Sequence, residues 1–232
     1  MTIRGFQGTS LLDYPGRIAA LIYTGGCNLR CAFCHNPGLV LSPEIYPDYP
    51  QKALLKTLEA RQNFIDGVVV SGGEPTLARG LDLLLEKIRN LGLLIKLDTN
   101  GLRPAVLENL LQRNLVDYLA IDLKTSPARY AELHQQPVDG SALLTSCRLA
   151  IETAPAYEFR TTCVPGLVEA EDILALGAQI VGAKLWVLQQ FVPRPDLLGD
   201  APATARPITD FFLLRQMAQT FVERVEGRGW SG

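Results

Sequence analysis

The sequence predicts an α/β fold, a partial (β/α)6 TIM-like barrel of parallel strands, and three observations lead there. Six short apolar runs recur along the 232 residues, each followed by a longer segment of helical periodicity, the alternation that βα units produce. The runs are apolar nearly throughout, as strands covered on both faces must be. Polarity returns at the end of every run, in residues able to hold a ligand.

The runs are IAALIYT from Ile18, GVVVS from Gly67, LLIKLD from Leu93, DYLAID from Asp117, YEFRTTC from Tyr157 and KLWVLQQF from Lys184. Residues 51–62, 78–90, 104–114, 141–152 and 169–181 read as the helices between them. Pro104 suits a first helical position, where a missing N–H costs nothing, and Pro207 takes the same place in a final helix of about 207–226. Leu81, Leu84, Leu85 and Ile88 share one helical face, which should lie against the sheet. Residues 1–17 read as a short N-terminal extension. Residues 192–207, with four prolines, read as an ordered loop crossing the barrel mouth or leading to the last helix. The tail GRGWSG reads as a mobile end. No long linker, repeat or low-complexity tract divides the chain. At 47% hydrophobic it can bury a full core, so 1–232 is taken as one domain.

Charge and hydropathy exclude several classes. The 22 Lys and Arg are mixed with 24 Asp and Glu rather than set in blocks, and this pattern does not ask for nucleic acid. The start of the chain lacks a basic segment followed by an apolar one, so a cytoplasmic protein is expected. The stretch 173–192 is interrupted by Gln179, Lys184, Gln189 and Gln190, and reads as a helix running into a strand rather than a membrane span.

The run ends are Thr24-Gly25-Gly26, Ser71-Gly72-Gly73-Glu74, Asp98-Thr99-Asn100-Gly101, Asp122-Leu123-Lys124, Arg160-Thr161-Thr162 and Gln189-Gln190. In a parallel barrel all C-terminal strand ends meet on one face, so six distant segments converge on one site. Loops are polar in any protein, but six such coincidences favour a site. Periodicity alone does not separate a barrel from an open doubly wound sheet.

Cys27, Cys31 and Cys34 follow the first run, too close together to staple a fold, and five cysteines is an odd number. Metal ligation fits better. A four-iron cluster is normally held by cysteine thiolates, and three of them leave one iron open to a ligand. Zinc held by three Cys and His35 is the main alternative, although adjacent residues rarely reach one small ion together and structural zinc ligands usually come as separated pairs. Three inert buried thiols are the weakest reading. Cys147, within a helix, and Cys163, at a strand end, read as packing.

The stretch Cys27-Asn28-Leu29-Arg30-Cys31-Ala32-Phe33-Cys34, followed after the second strand by Ser71-Gly72-Gly73-Glu74-Pro75, resembles the signature of the radical S-adenosylmethionine (radical SAM) superfamily. The resemblance covers nearly the whole chain, since the later strand-end motifs fall in the expected order. It implies that Cys27, Cys31 and Cys34 bind three irons of one [4Fe–4S] cluster, while S-adenosylmethionine chelates the fourth. Phe33 would lie against the adenine. Gly72 and Gly73, without side chains, would let their backbone approach the methionine end, with Glu74 assisting. Asp98, Thr99 and Asn100, then Asp122 and Lys124, would surround the ribose and carboxylate, with Arg160 a carboxylate partner and Gln190 a ligand from the sixth strand. Each has a plain structural reading: Asp122 and Lys124 can pair with one another, and Arg160 can satisfy a buried acid. His35 would position the cofactor or shape the loop through a backbone hydrogen bond. His134 reads as a surface residue, and Asp13-Tyr14-Pro15-Gly16 as a turn rather than part of a docking surface.

Within the superfamily, Ser10-Leu11-Leu12-Asp13-Tyr14-Pro15-Gly16 and Cys34-His35-Asn36-Pro37 resemble the activating enzymes of glycyl-radical proteins, most closely those serving anaerobic ribonucleoside-triphosphate reductase. The resemblance implies reductive cleavage of S-adenosylmethionine to a 5′-deoxyadenosyl radical. That radical takes hydrogen from a glycine of the partner enzyme, with flavodoxin or ferredoxin as the electron donor. No cysteine lies between Cys34 and Ser71, so a single cluster is expected. Gln189-Gln190 stand where relatives acting on pyruvate formate-lyase carry a histidine, which weakens that choice of partner. The rival readings are a radical SAM enzyme on a small molecule, such as 7-carboxy-7-deazaguanine synthase, and a non-catalytic iron–sulfur or zinc module. No Gly-x-Ser-x-Gly, His-Glu-x-x-His or phosphate-loop motif supports hydrolysis.

Overall fold

Residues 1–133, 138–199 and 211–230 are described by the structure, a computed structural model. In chain order the elements are β1 (Ile3–Ser10), β2 (Ala19–Thr24), α1 (Pro37–Leu41), α2 (Gln51–Arg61), β3 (Gly67–Gly72), α3 (Leu81–Arg89), β4 (Leu94–Thr99) and α4 (Pro104–Gln112). They continue with β5 (Tyr118–Asp122), α5 (Gly140–Thr153), β6 (Tyr157–Cys163), α6 (Ala170–Gly177), β7 (Trp186–Gln190), α7 (Phe211–Gln219) and β8 (Val225–Arg228). The eight strands form one sheet in sequence order. β1 runs antiparallel to β2, and every later pair is parallel. The six predicted runs are β2 to β7, and the five predicted helices are α2 to α6.

Strand alternation sorts the sheet into two faces. On the outer face Ile22, Val70, Leu97 and Leu119 lie in register, as do Ile121, Phe159, Trp186 and Val225. All are buried in the main core. The helices cover this face with matching apolar stripes: Leu81, Leu84, Leu85 and Ile88 of α3 and Leu107, Leu110 and Leu111 of α4 are buried. Pro104 opens α4, as expected. The inner face forms a second, smaller cluster of Tyr14, Ala19, Leu21 and Val69, packed by Tyr23, Leu94 and Tyr118. This cluster lines the N-terminal half of the lumen. Tyr14 reaches it from a turn in which Arg17 N donates to Tyr14 O at 3.1 Å and Gly16 sits at φ +69°, a position that favours glycine. Its ring meets Tyr118 edge-on at 5.8 Å and closes the floor.

Both ends of the chain differ from expectation. Residues 1–17 are not a plain extension: β1 adds an edge strand. Its burial pattern is irregular and two glycines interrupt it, so no alternation marks it in the sequence. The predicted last helix ends early, since α7 stops at Gln219 and the chain returns as β8 beside β7. The start of the GRGWSG tail is ordered, because Gly227 and Arg228 belong to β8 and Trp230 stacks on Phe211 at 4.2 Å. Pro207 and His134 lie outside the described residues. Among the described residues no helix is long and apolar enough to cross a membrane, and 173–192 is α6 running on to β7.

Candidate active site

The cysteine loop leaves β2 at the C-terminal end of the sheet. Cys27, Cys31 and Cys34 all face one cavity, with Phe33 and His35 beside them. The loop is held by its own backbone: Cys34 N donates to Cys31 O at 2.9 Å, and Arg30 Nη1 donates to Cys27 O at 2.7 Å. Leu29 N donates to Cys27 Sγ at 3.4 Å. Burial raises the thiols of Cys27 and Cys31, the latter to about 11, against the pull of the nearby Lys124 ammonium. A metal taking these thiols as thiolates therefore releases protons. Cys147 and Cys163 are fully buried among apolar neighbours, as expected of packing residues.

The second strand end explains the Gly-Gly-Glu segment. Gly73 N donates to Thr24 O at 2.9 Å and Glu74 N to Gly26 O at 2.7 Å, so two loops run side by side. A side chain at Gly73 would stand 2.0 Å from Gly26 O, and one at Gly72, at φ +113°, would stand 2.5 Å from the Thr24 backbone. The glycines are thus required by the approach of the cysteine loop itself. Gly72 O accepts from Asn36 Nδ2 at 3.3 Å. Glu74 is buried, and its carboxylate is fully engaged: Oε1 accepts from Thr76 Oγ1 at 2.6 Å and Thr99 Oγ1 at 2.7 Å, and Oε2 from Asn100 N at 2.7 Å. Burial raises it above the ordinary carboxylate range, against those hydrogen bonds. Asn100 Nδ2 in turn donates to Asn28 Oδ1 at 2.7 Å, tying β4 to the cysteine loop.

Charge enters from β4, β5 and β6. Asp122 accepts from Lys124 Nζ at 2.9 Å and from Arg160 Nε at 2.8 Å, and Arg160 Nη1 reaches Asp98 Oδ2 at 3.2 Å. Both plain pairings anticipated for these residues are present, and all four side chains also line the cavity. Burial works against the charged form of each, but the partners outweigh it. Arg160 and Lys124 hold Asp122 below the usual range, Arg160 and Lys96 do the same for Asp98, and Asp122 holds Lys124 above its ordinary value. Lys124 Nζ also stands 6.0 Å from the centre of the Phe33 ring.

The cavity holds about 240 Å³, far more than one ion needs. Among the described residues no three His, Cys, Asp or Glu side chains are grouped around a single metal-ion position. The three thiols line one shared space. Mononuclear zinc requires its ligands within about 2.3 Å of one centre, whereas thiolates on separate irons of a cubane stand apart. The donor set fits a cluster with one iron left for a ligand. Residues 21–176 match the radical SAM superfamily. The chain belongs to this superfamily. Enzymes of this superfamily use a [4Fe–4S] cluster and S-adenosylmethionine. A Methanocaldococcus jannaschii protein provisionally described as a glycyl-radical enzyme activating enzyme is 33% identical over 83% of this chain and 80% of its own. The 7-carboxy-7-deazaguanine synthase of Neisseria meningitidis serogroup B is 34% identical over 52% of this chain and 49% of its own. Among solved structures, Streptococcus suis SuiB bound to S-adenosylmethionine superposes with a TM-score of 0.66 at 18% identity, over 90% of this chain and half of SuiB, a likeness of fold.

The cavity gathers almost every residue singled out from the sequence: Cys27, Cys31, Phe33, Cys34, His35, Gly72, Gly73, Glu74, Asp98, Thr99, Asn100, Asp122, Lys124 and Arg160 line it. Gln190 is the exception. It is exposed at the end of β7, against Gly229, and Gln189 faces the cavity instead. The reason is strand alternation: adjacent residues face opposite sides, and the pairing of Thr162 with Gln189 puts both on the lumen face. The ring of His35 bonds the Val192 backbone, the loop-shaping alternative, while also lining the cavity. Residues 192–199 run over the cysteine loop, where Gly199 N donates to Ala32 O at 3.1 Å. Asn36 and Val40 were missed. Both follow the motif on α1 or its N-terminal edge, and nothing in the sequence marks that short helix as part of the site.

Proposed function

We propose that this radical SAM enzyme activates a glycyl-radical enzyme by removing hydrogen from a glycine of that partner, with anaerobic ribonucleoside-triphosphate reductase as the partner. The observation that carries the reading is a cavity bounded by three thiols on one loop and by charged ends of β4, β5 and β6. The M. jannaschii relative, matched over four fifths of both chains, supports the choice within the superfamily. Bound there, the cluster and S-adenosylmethionine supply one-electron cleavage of a carbon–sulfur bond and the 5′-deoxyadenosyl radical that takes the hydrogen.

The chain's own part is holding and orienting. Cys27, Cys31 and Cys34 would hold three irons of the cluster. Phe33, with the Lys124 ammonium over its ring, would face the adenine. The Gly72-Gly73 backbone borders the methionine end, Asp98, Asn100 and Asp122 meet the polar groups of the ribose, and Arg160 and Lys124 meet the carboxylate. Gln189 takes the place given to Gln190. Glu74 and Thr99 serve by locking the β3 and β4 ends together. Flavodoxin or ferredoxin delivers the electron, and the reaction runs in the cytoplasm without oxygen.

The test is to mix the reduced, reconstituted protein with S-adenosylmethionine and the reductase. A glycyl-radical signal by electron paramagnetic resonance is expected. Formation of 5′-deoxyadenosine without that signal, for every partner offered, rejects activation and favours the second reading, chemistry on a small molecule. That reading draws support from the 7-carboxy-7-deazaguanine synthase relative and from the polar lumen wall. No 5′-deoxyadenosine under any condition rejects both.

A further inference from the structure

Beneath the cavity the lumen holds two ionisable side chains that none of the roles above uses. Lys96 and Glu158 are each 1% exposed and do not line the cavity. β4 and β6 place them one inner-face position below Asp98 and Arg160. Lys96 Nζ donates to Asp98 Oδ1 and stands 5.8 Å from the centre of the Tyr118 ring. Glu158 Oε2 accepts from Tyr118 Oη at 3.1 Å and from Arg228 Nη2 at 3.4 Å. Its Oε1 is buried without a hydrogen-bond partner, 3.9 Å from Arg160 Nη1. Three carboxylates therefore share one guanidinium: Asp122 at 2.8 Å, Asp98 at 3.2 Å and Glu158 at 3.9 Å.

Such an arrangement is expensive for a core. Buried charges forfeit hydration that their mutual attraction only partly returns, and an orphaned carboxylate oxygen adds to the cost. Apolar residues here would extend the adjoining Leu21, Val69 and Leu94 cluster. What the charges accomplish is visible in the connectivity. A guanidinium surrounded by carboxylates offers little net attraction to another anion. Lys96 engages Asp98 from below and so relieves Arg160 of part of that demand, whereas Glu158 adds to it. Tyr14 and Tyr118 seal the lumen beneath, which keeps screening weak.

We propose that Lys96 and Glu158 form a positioning pair that sets, with opposite signs, how strongly the cavity holds the carboxylate of its ligand, acting through Asp98 and Arg160. The proposal rests on the reading of the cavity as the S-adenosylmethionine site. Its test is calorimetric titration of anaerobically reconstituted protein with two probes: S-adenosylmethionine, and 5′-methylthioadenosine, which keeps the adenosine and lacks the carboxylate. Lys96→Met is expected to weaken S-adenosylmethionine about tenfold while moving methylthioadenosine by less than about twofold, the mark of a charge-specific effect. Glu158→Gln, nearly the same shape, is expected to tighten S-adenosylmethionine about threefold at unchanged methylthioadenosine affinity. Where Lys96→Met fails to fold, the sign of the Glu158→Gln change decides alone. Equal changes for both probes, or no change for either, make the pair purely structural and overturn the proposal. A parent protein that binds neither probe instead sinks the cofactor reading itself, an outcome visible before any variant is made.

Discussion

The two faces of the same strands are both largely shielded from water, yet one is apolar and the other carries a linked set of charges. Along β4, Ile95 and Leu97 point outward into the helices, while Lys96 and Asp98 point into the lumen. Along β6, Phe159 points outward and Glu158 and Arg160 inward. The outer face follows the ordinary economy of a core, in which apolar area removed from water stabilises the fold by about 25 cal/mol per Å². One part of the inner face breaks that economy with a linked set of charges, and another, at Leu21, Val69 and Leu94, returns to it. The fold's stability and its chemistry are therefore written on alternate residues, and substitutions should separate them.

The largest separation is expected at the cysteine loop. Cys31→Ala should leave a folded barrel that cannot retain its cluster; iron and sulfide analysis after anaerobic reconstitution checks it, and parent-level content would refute the ligand assignment. Next comes the contrast of two neighbours on one strand. Leu97→Ala should cost about 2–5 kcal/mol in urea unfolding and leave the affinity for S-adenosylmethionine unchanged in the folded fraction. Asp98→Asn should do the reverse, weakening affinity more than stability. If both variants act alike, the division between the faces is false.

A pH experiment sharpens the same point. Burial opposes ionisation of Asp98 and Asp122, but Arg160, with Lys96 or Lys124, outweighs it and lowers both. Below the ordinary carboxylate range, about pH 4, these two groups thus bind more protons in the unfolded chain than in the folded one, so their contribution to stability rises with pH. The urea midpoint of cluster-free protein should fall as pH drops through this window, and more gently in Asp122→Asn. A parallel slope in the variant would show that the lumen charges do not govern the acid limb. The smallest effect is expected at β7, where Gln189→Ala should weaken S-adenosylmethionine about threefold, a lost hydrogen bond's worth. Gln190→Ala should change nothing measurable by the same titration.

How much was legible can be traced residue by residue. β2 to β7 announced themselves because both faces of each strand are buried, so apolar runs and run ends appear directly in the sequence. β1 and β8 did not, since one is an irregular edge strand and the other buries a single side chain, Val225. The cavity-lining residues were found because they sit at run ends or inside the cysteine motif. Gln189 lines the cavity where Gln190 was expected, because the sequence carries the run but not its phase, which the pairing with β6 supplies. Glu74 was placed beside the ligand, and only the tertiary hydrogen bonds from Thr76, Thr99 and Asn100 reveal it as a fastening between loops.

By itself the sequence determined the βα alternation, the spacing of three thiols on one loop and the convergence of strand ends, because periodicity and motif spacing are local properties of the chain. Only the tertiary structure decided which acid meets which base in the lumen, and that Gly73 makes room for Gly26. It alone decided too that Lys96 lies beneath Asp98 while Glu158 faces Arg160 with one oxygen unpartnered. The contacts between strands join residues tens of positions apart and follow from strand register and sheet curvature, while Lys96–Asp98 and Glu158–Arg160, two residues apart on one strand, depend on which face that strand turns to the lumen.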